Sequence, residues 1–242
     1  MTVMRRRILP WCLGWLCASA QAQPWPPTLA PDSAKPFVVI ESGVINGMPS
    51  RITGLDSRWS AAELGAWLQR QLPKEQRIQN FPAKTVISAL EGRFLHTVIV
   101  EPRDGGGATA IHSVARWPTS TERNAYERQK THWLNLMPSG TRITSQQSSM
   151  DGAVQNAQLV MVNRHPLALG LQRVVQKYRQ EGFVPTDEAT NVLRRVQRVG
   201  AKQEAIVQMT HPRGDEVLVT GGMQGPDSWL VVHQTTRLEI LR

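Results

Sequence analysis

Residues 37–55 read FVVIESGVINGMPSRITGL, and this stretch carries the signals that decide the fold. The run Phe37–Glu41 is rich in β-branched residues, which favour strands. Asn46-Gly47 is the strongest short-range signal for a β-hairpin, because both residue types tolerate the positive φ of a tight turn. Ser50–Leu55 then forms the returning strand. The sequence therefore predicts that the folded part of the chain begins with an antiparallel hairpin.

A helix is predicted directly after this hairpin. Ser60 and Glu63 have the spacing of a capping box, in which each side chain accepts a hydrogen bond from the other residue's backbone N–H. Pro73 cannot continue a helix and ends it. The apolar residues between these signals fall on one helical stripe that would face a sheet: Leu64, Trp67, Leu68 and Leu72. Three strands are expected next: Thr85–Leu90, Phe94–Glu101 and Ala108–Trp117.

The same order of patterns recurs in the second half of the chain. A helix is expected from about Pro166 to Gly182, and the capping box of Thr119 and Glu122 opens a further helix between the halves. We therefore predict an α+β fold of two tandem ββαβββ-type modules, each an antiparallel sheet with one packed helix, joined by a linker helix. The alternative is one mixed α+β domain whose halves look alike by chance. The strands expected here are Thr141–Ser145, Gln158–Val162, Asn191–Val199, Glu204–Thr210, Glu216–Gly221 and Ser228–Gln234.

The N-terminus has the pattern of a secretory signal peptide. Three arginines at 5–7 precede an apolar run at 8–18, and small residues then allow cleavage after Ala20 or Ala22. The apolar run is about half the length that a transmembrane helix needs. We expect an exported protein, periplasmic or secreted, with no transmembrane segment in the mature chain. Retention of the segment as an anchor is the alternative.

These signals divide the chain into five predicted parts. The expected boundaries are a signal peptide at 1–22, a proline-rich leader at 23–36, a first module at 37–118, a linker helix at 119–138 and a second module at 139–242. The leader has five prolines in 14 residues, which predicts an extended, weakly structured tail. Its Trp25 could instead dock on a partner.

Composition narrows the class of protein. The 242 residues include 28 Lys and Arg against 19 Asp and Glu, and the net charge is +9. With 40% hydrophobic and 19% charged residues, the chain is neither a charge-rich disordered tail nor a heptad coiled coil. Cleavage would remove both cysteines (Cys12 and Cys17) and three arginines, leaving a net charge of +6. A disulfide scaffold, a cysteine-based zinc module and a cysteine nucleophile are therefore excluded for the mature chain.

The sequence offers few catalytic signals. It has no G-x-S-x-G elbow, H-E-x-x-H helix, phosphate-binding loop or G-x-G-x-x-G fingerprint. Gly105-Gly106-Gly107 lies between two predicted strands and indicates a tight turn. Ser148, Ser149 and Asp151 lie in a polar run that resembles a hairpin loop, but nothing selects a base for serine hydrolysis.

Two histidines form a weak candidate metal pair. If the hairpin around Asp104 is symmetric, positions that sum to 208 face each other, and His96 lies opposite His112. Two imidazoles on neighbouring strands could share a metal ion, but no third ligand is visible. Exposed strand histidines are the alternative, and we expect no cofactor.

A second candidate site is a weak basic patch. Lys177 and Arg179 come at the end of the helix expected from Pro166 to Gly182, with Arg173 nearby, and further arginines lie on or beside the strand that follows it: Arg194, Arg195 and Arg198. Such a patch could bind an anionic polymer, a lipid headgroup or an acidic protein. A solvated basic face is the alternative.

Together these patterns favour a non-enzymatic protein of the bacterial envelope that binds or assembles with another component. Its expected partner is another envelope protein or an anionic envelope polymer, and we expect no nucleic acid. Edge strands of antiparallel sheets are a common means of such binding. The alternative is a small exported enzyme, a hydrolase, or a metal-binding protein.

Overall fold

The computed structural model describes residues 24–186 and 204–238. Within these residues the strands form one twelve-stranded antiparallel sheet, and three helices accompany it. The helices are α1 (Ala61–Gln71), α2 (Ser120–Leu136) and α3 (Leu167–Gln180). The strands are β1 (Ala34–Ile45), β2 (Met48–Ser57), β3 (Gln76–Phe81), β4 (Lys84–Glu91), β5 (Phe94–Pro102), β6 (Ala108–Arg116), β7 (Arg142–Asp151), β8 (Val154–Asn163), β9 (Val184–Pro185), β10 (Glu204–Thr210), β11 (Glu216–Gln224) and β12 (Asp227–Arg237).

The prediction of two modules with separate sheets is wrong. The strand order is β3-β4-β5-β6-β2-β1-β7-β8-β12-β11-β10-β9, so the sheet runs without interruption through both halves of the chain. The joining pair is β1 with β7, in register from Ser42 opposite Met150 to Ile45 opposite Gln147. The periodicity of each strand predicts its faces but carries no information about which distant strand it pairs with. The α+β character of the chain is confirmed.

The short sequence signals for turns and helix caps predicted the structure correctly, whereas the repeated order of patterns in the two halves did not. Asn46 and Gly47 have φ values of 49° and 81° in the β1–β2 turn, as a two-residue hairpin requires. Ser60 forms the predicted capping box with Glu63 at the start of α1, and Thr119 forms its own with Glu122 at the start of α2. β3 was missed because its sequence, QRIQNF, is mostly polar and exposed.

The third helix differs slightly from the prediction. Pro166 is the residue before α3 and makes no side-chain cap, while Gly182 follows the helix with φ 90°. The strand predicted over Asn191–Val199 lies outside the described residues. Among the residues that are described, no helix is both long and apolar enough to span a membrane.

The helices cover one face of the sheet. α1 packs on β5 and β6, whereas α3 packs on β11 and β12. Residues that are paired directly on neighbouring strands point to the same face of the sheet. Pro49 pairs with Val44, Val44 with Ser148, and Ser148 with Ala157, so one face can be followed from the first half of the sheet to the second. Helices α1 and α3 both lie on this face. Two apolar clusters result. One lies under α1 around Leu64 and Leu68, and a larger one lies under α2 and α3.

The proline-rich segment before β1 is packed rather than loose in its described part. The Trp25 ring lies 5.4 Å from the Phe94 ring, and the Arg51 guanidinium lies 4.8 Å from the centroid of the Trp25 ring. Leu29 and Ala30 pack against the cluster under α1. The prediction of a weakly structured tail failed here, because prolines fix an extended backbone and the apolar residues between them still bind the covered face.

Candidate functional site

A cavity of about 310 Å³ lies at the centre of the sheet, where the two halves of the chain meet. Its floor is formed by β7, β8 and β12, the β1–β2 turn closes one side, and α2 lies over it. β8 and β12 are paired on both sides, β7 is paired with β1 over residues 147–150, and Asn46 binds the backbone of Gln146, so the backbone groups along the cavity floor already have partners. The volume is at the small end of the range for ligand sites, about 300–1,000 Å³.

One face of α2 forms the roof of this cavity. Its lining residues recur at intervals of three or four, as one helical face requires: Glu122, Ala125, Tyr126, Gln129 and Trp133. The C-terminal end of α2 is packed into the core, since Trp133 and Met137 are buried, whereas Ala125 and Gln129 nearer its N-terminus are exposed. The N-terminal half of the helix therefore covers the cavity without closing it to solvent.

Gln146 is the central polar residue of the floor. A register irregularity between Ile143 and Ser145 re-aims β7 and turns Gln146 towards the covered face, opposite Leu159. The turn residue Asn46 fixes the backbone of Gln146, because its N–H donates to the Gln146 carbonyl at 2.7 Å and its Oδ1 accepts from the Gln146 N–H at 2.9 Å.

The side-chain amide of Gln146 is left without a complete set of partners. The residue is 9% exposed, and its Oε1 is buried with no hydrogen-bond partner. Leaving a buried polar atom unpaired costs about 1–3 kcal/mol. If the amide were turned over, its nitrogen would occupy the same position. The fold therefore places a polar group that has no partner in the protein at the wall of a cavity.

Further amides and hydroxyls line the same cavity. Tyr178 on α3 donates its hydroxyl proton to Gln234 Oε1 at 3.0 Å. Burial raises the pKa of Tyr178, so this hydroxyl stays protonated and remains a donor. Ser148 and Gln155 are further polar residues of the floor, and Gln129 lines the cavity from α2.

The only carboxylate at the cavity wall, among the described lining residues, is that of Glu122. Arg116 donates to it at 2.6 Å, and the backbone N–H and hydroxyl of Thr119 donate to its other oxygen. The Arg116 hydrogen bond lowers the pKa of Glu122 to about 2, aided by Thr119 and opposed by desolvation. The carboxylate is thus permanently ionised and committed to these partners.

The chemistry of the cavity must be read from its own residues. No protein-family model, curated protein or solved structure matches this chain. What the described residues present is a neutral wall of amides, hydroxyls and aromatic rings, with one neutralised carboxylate at the rim.

The ring of Tyr126 lies beside Gly47 of the β1–β2 turn, at the edge of the cavity. A Cβ on Gly47 would lie 2.8 Å from the Tyr126 ring, and the residue has φ 81°. We expect Gly47→Ala to lower the free energy of unfolding by about 2–3 kcal/mol, through backbone strain and displacement of the ring, as measured by urea denaturation. Gly152→Ala is the matched control, because Gly152 has φ 56° with open space around it and should show the strain alone. Equal losses in both variants would contradict the ring contact.

The two histidines are close together, but not as the sequence predicted. Positions that sum to 210 are paired, so His96 lies opposite Val114 and His112 opposite Val98. The histidines are diagonal neighbours on the covered face, each 2% exposed, with His96 Nδ1 and His112 Nε2 3.1 Å apart. His96 Nε2 lies 3.1 Å from Glu91 Oε2.

These distances describe a hydrogen-bonded chain of neutral imidazoles. His96 donates through Nε2 to Glu91, and its Nδ1 then accepts the proton of His112 Nε2. Burial lowers the pKa of both histidines, that of His112 to about 4. The two nitrogens that would bind a shared metal ion, His96 Nδ1 and His112 Nε2, are hydrogen-bonded to each other instead. Across residues 24–186 and 204–238, no group of three or more candidate metal ligands is assembled.

The basic patch lies only in part within the described residues. Arg173 is exposed on α3. Lys177 Nζ forms an ion pair with Glu181 at 2.7 Å and lies 4.7 Å from the centroid of the Trp133 ring, so its charge is partly neutralised. The three remaining members, Arg194, Arg195 and Arg198, lie outside the described residues.

The polar run around Ser148 is a strand rather than a loop. Ser148, Ser149 and Asp151 belong to β7, and Ser148 lines the cavity. Sequence reasoning missed Gln146, Gln155 and the other glutamines, because a polar run poor in β-branched residues resembles a turn. These residues could have been found from the two-residue periodicity of a strand, because polar side chains at every second position place polar groups on one face of the sheet.

Proposed function

We propose that this chain is an exported, non-enzymatic binding protein of the bacterial envelope, and that the cavity under α2 is its ligand site. The observation that carries the proposal is the unpartnered, buried amide of Gln146. A buried polar group with no partner in the protein is explained if a ligand supplies that partner.

The character of the cavity wall favours binding over catalysis. General acid–base catalysis needs a group whose pKa lies near the working pH. Glu122 is held ionised by Arg116, and Tyr178 is held protonated by burial. Among the described lining residues there is no histidine to activate Ser148. These groups can donate and accept hydrogen bonds, but none of them is poised to transfer a proton.

Export is supported by the N-terminal pattern of three arginines, a short apolar run and small residues before Ala22. Such a processing site leaves Trp25 in the mature chain, where it packs on Phe94. The proposed cleavage therefore spares the segment that covers the sheet.

The test is to identify what the protein retains. We expect the protein, isolated under mild conditions from the exported fraction of a producing bacterium, to release a bound compound when denatured. Mass spectrometry would detect it. Its mass should be unchanged after long incubation with the native protein, because binding involves no chemical conversion.

Gln146→Leu provides the control for this experiment. We expect the variant to unfold at a higher temperature in the ligand-free state, by the equivalent of about 1–2 kcal/mol, because the orphaned polar atom is gone. It should release less compound than the native protein. Equal amounts released by both proteins, or conversion of the compound by the native protein alone, would overturn the proposal.

A further inference from the structure

The cavity selects a ligand class by what its walls can satisfy. An apolar ligand would leave the amide of Gln146 unpaired, as it is in the free protein. A charged ligand would find no free counter-charge among the described lining residues, since Glu122 is bound to Arg116. A suitable ligand is therefore neutral and carries hydroxyl or amide groups that both donate and accept hydrogen bonds.

The arrangement of the walls further restricts this ligand. The floor supplies amides and hydroxyls at Gln146, Ser148, Gln155 and Gln234, whereas the roof supplies the ring of Tyr126. A ligand that fits between them has hydrogen-bonding groups around its edge and an apolar face. A pyranose ring has this amphipathic form, with hydroxyl groups at its edge and C–H groups on its face.

The other neutral polymer with such groups is an extended peptide, and the topology disfavours it. Extended peptides commonly bind sheets by adding a strand to an unpaired edge. Where β7, β8 and β12 line the cavity, their backbone groups are already paired with neighbouring strands or, at Gln146, bonded to Asn46. The cavity thus offers side-chain amides but no free run of backbone N–H and C=O groups.

Size is consistent with a sugar unit. The cavity of about 310 Å³ has room for about ten water molecules, each occupying about 30 Å³ in the liquid. The exposed N-terminal half of α2 leaves the cavity open at one side, so a longer chain could extend from it. We propose that the cavity binds one neutral sugar unit of a saccharide, with its hydroxyl groups on the glutamine amides and its ring face on Tyr126. This inference rests on the proposed binding function.

Isothermal titration calorimetry on the mature exported protein tests it with four defined probes. They are tetramers of β-1,4-linked N-acetylglucosamine, β-1,4-linked glucose, galacturonate and alanine. We expect at least one of the two neutral saccharides to bind. Gln146→Leu should weaken this binding about tenfold, the usual worth of one buried hydrogen bond. Tyr126→Leu should weaken it about three- to tenfold through loss of the ring.

Gln172→Leu is the matched control, because Gln172 is exposed on α3 and does not line the cavity. Its affinity should stay within twofold of the native value. The inference is overturned if neither neutral saccharide binds, if Gln146→Leu binds as well as the native protein, or if galacturonate or the peptide binds more tightly. If the denatured protein releases a non-saccharide compound, the binding function stands and the saccharide inference fails.

Discussion

Replacing Tyr178 with alanine should lower the free energy of unfolding by about 3–5 kcal/mol, the cost of truncating a large, fully buried aromatic side chain. Tyr178 is 1% exposed and forms an edge contact with Phe183, with ring centroids 5.2 Å apart. It also contacts the Trp133 ring, which anchors α2 to the rest of the protein. Urea denaturation monitored by circular dichroism would measure the loss.

A second variant separates packing from hydrogen bonding. Tyr178→Phe keeps the ring but removes the donor to Gln234 Oε1, so we expect a smaller loss of about 1–2 kcal/mol. A loss below 1 kcal/mol for the alanine variant would contradict the packing of α3 described here. Equal losses for both variants would show that the hydroxyl, rather than the ring, supplies the stabilisation.

Acid should destabilise the protein through His112. Its pKa is lowered from 6.5 to about 4, mainly by burial and also by the neighbouring His96, so the unfolded chain takes up a proton at a pH where the folded protein does not. The contribution of neutral His112 to the free energy of unfolding is fully present above pH 6.5 and is lost as the pH falls from 6.5 to 4. Below pH 4 this contribution changes no further. At 1.36 kcal/mol per pKa unit, the loss is about 3 kcal/mol. Urea denaturation at several pH values would follow it.

His112→Leu should flatten this dependence. The variant keeps the apolar contacts of a buried position but has no group to protonate, so its stability should fall less between pH 6.5 and 4. The charged neighbours of the pair, Glu91 beside His96 and Arg51 beside the pocket that His112 lines, are unchanged in the variant. Parallel pH profiles for the two proteins would show that another group controls the acid response.

The local part of the fold was readable from the sequence because its causes are local. Asn46-Gly47 needs only its own backbone freedom to make a turn, and Ser60 caps α1 through Glu63, three residues away. The continuity of the sheet was not readable, because it depends on β1 and β7 finding each other across about a hundred residues. The periodicity of a strand indicates which of its residues share a face of the sheet, but it does not indicate which distant strand pairs with it.

The candidate site was harder to foresee for a related reason. His96 and His112 attracted attention as residue types that bind metals, yet the structure uses them as a neutral hydrogen-bonded pair. Glutamines carry no motif, and the importance of Gln146 comes from its position beside a register irregularity and from its missing partner. Neither property is encoded in a short window of sequence.

The two hydrogen bonds between Asn46 and Gln146 also have a kinetic consequence. They join residues that are 100 positions apart in the chain. Such contacts close a long loop, whose entropic cost is met late, after shorter-range structure has formed. We therefore expect the hairpins and capped helices to assemble first and the cavity under α2 to be completed last. A complete cavity would then show that the two halves of the sheet have joined, a state that helix and strand content alone does not distinguish from a partly assembled chain.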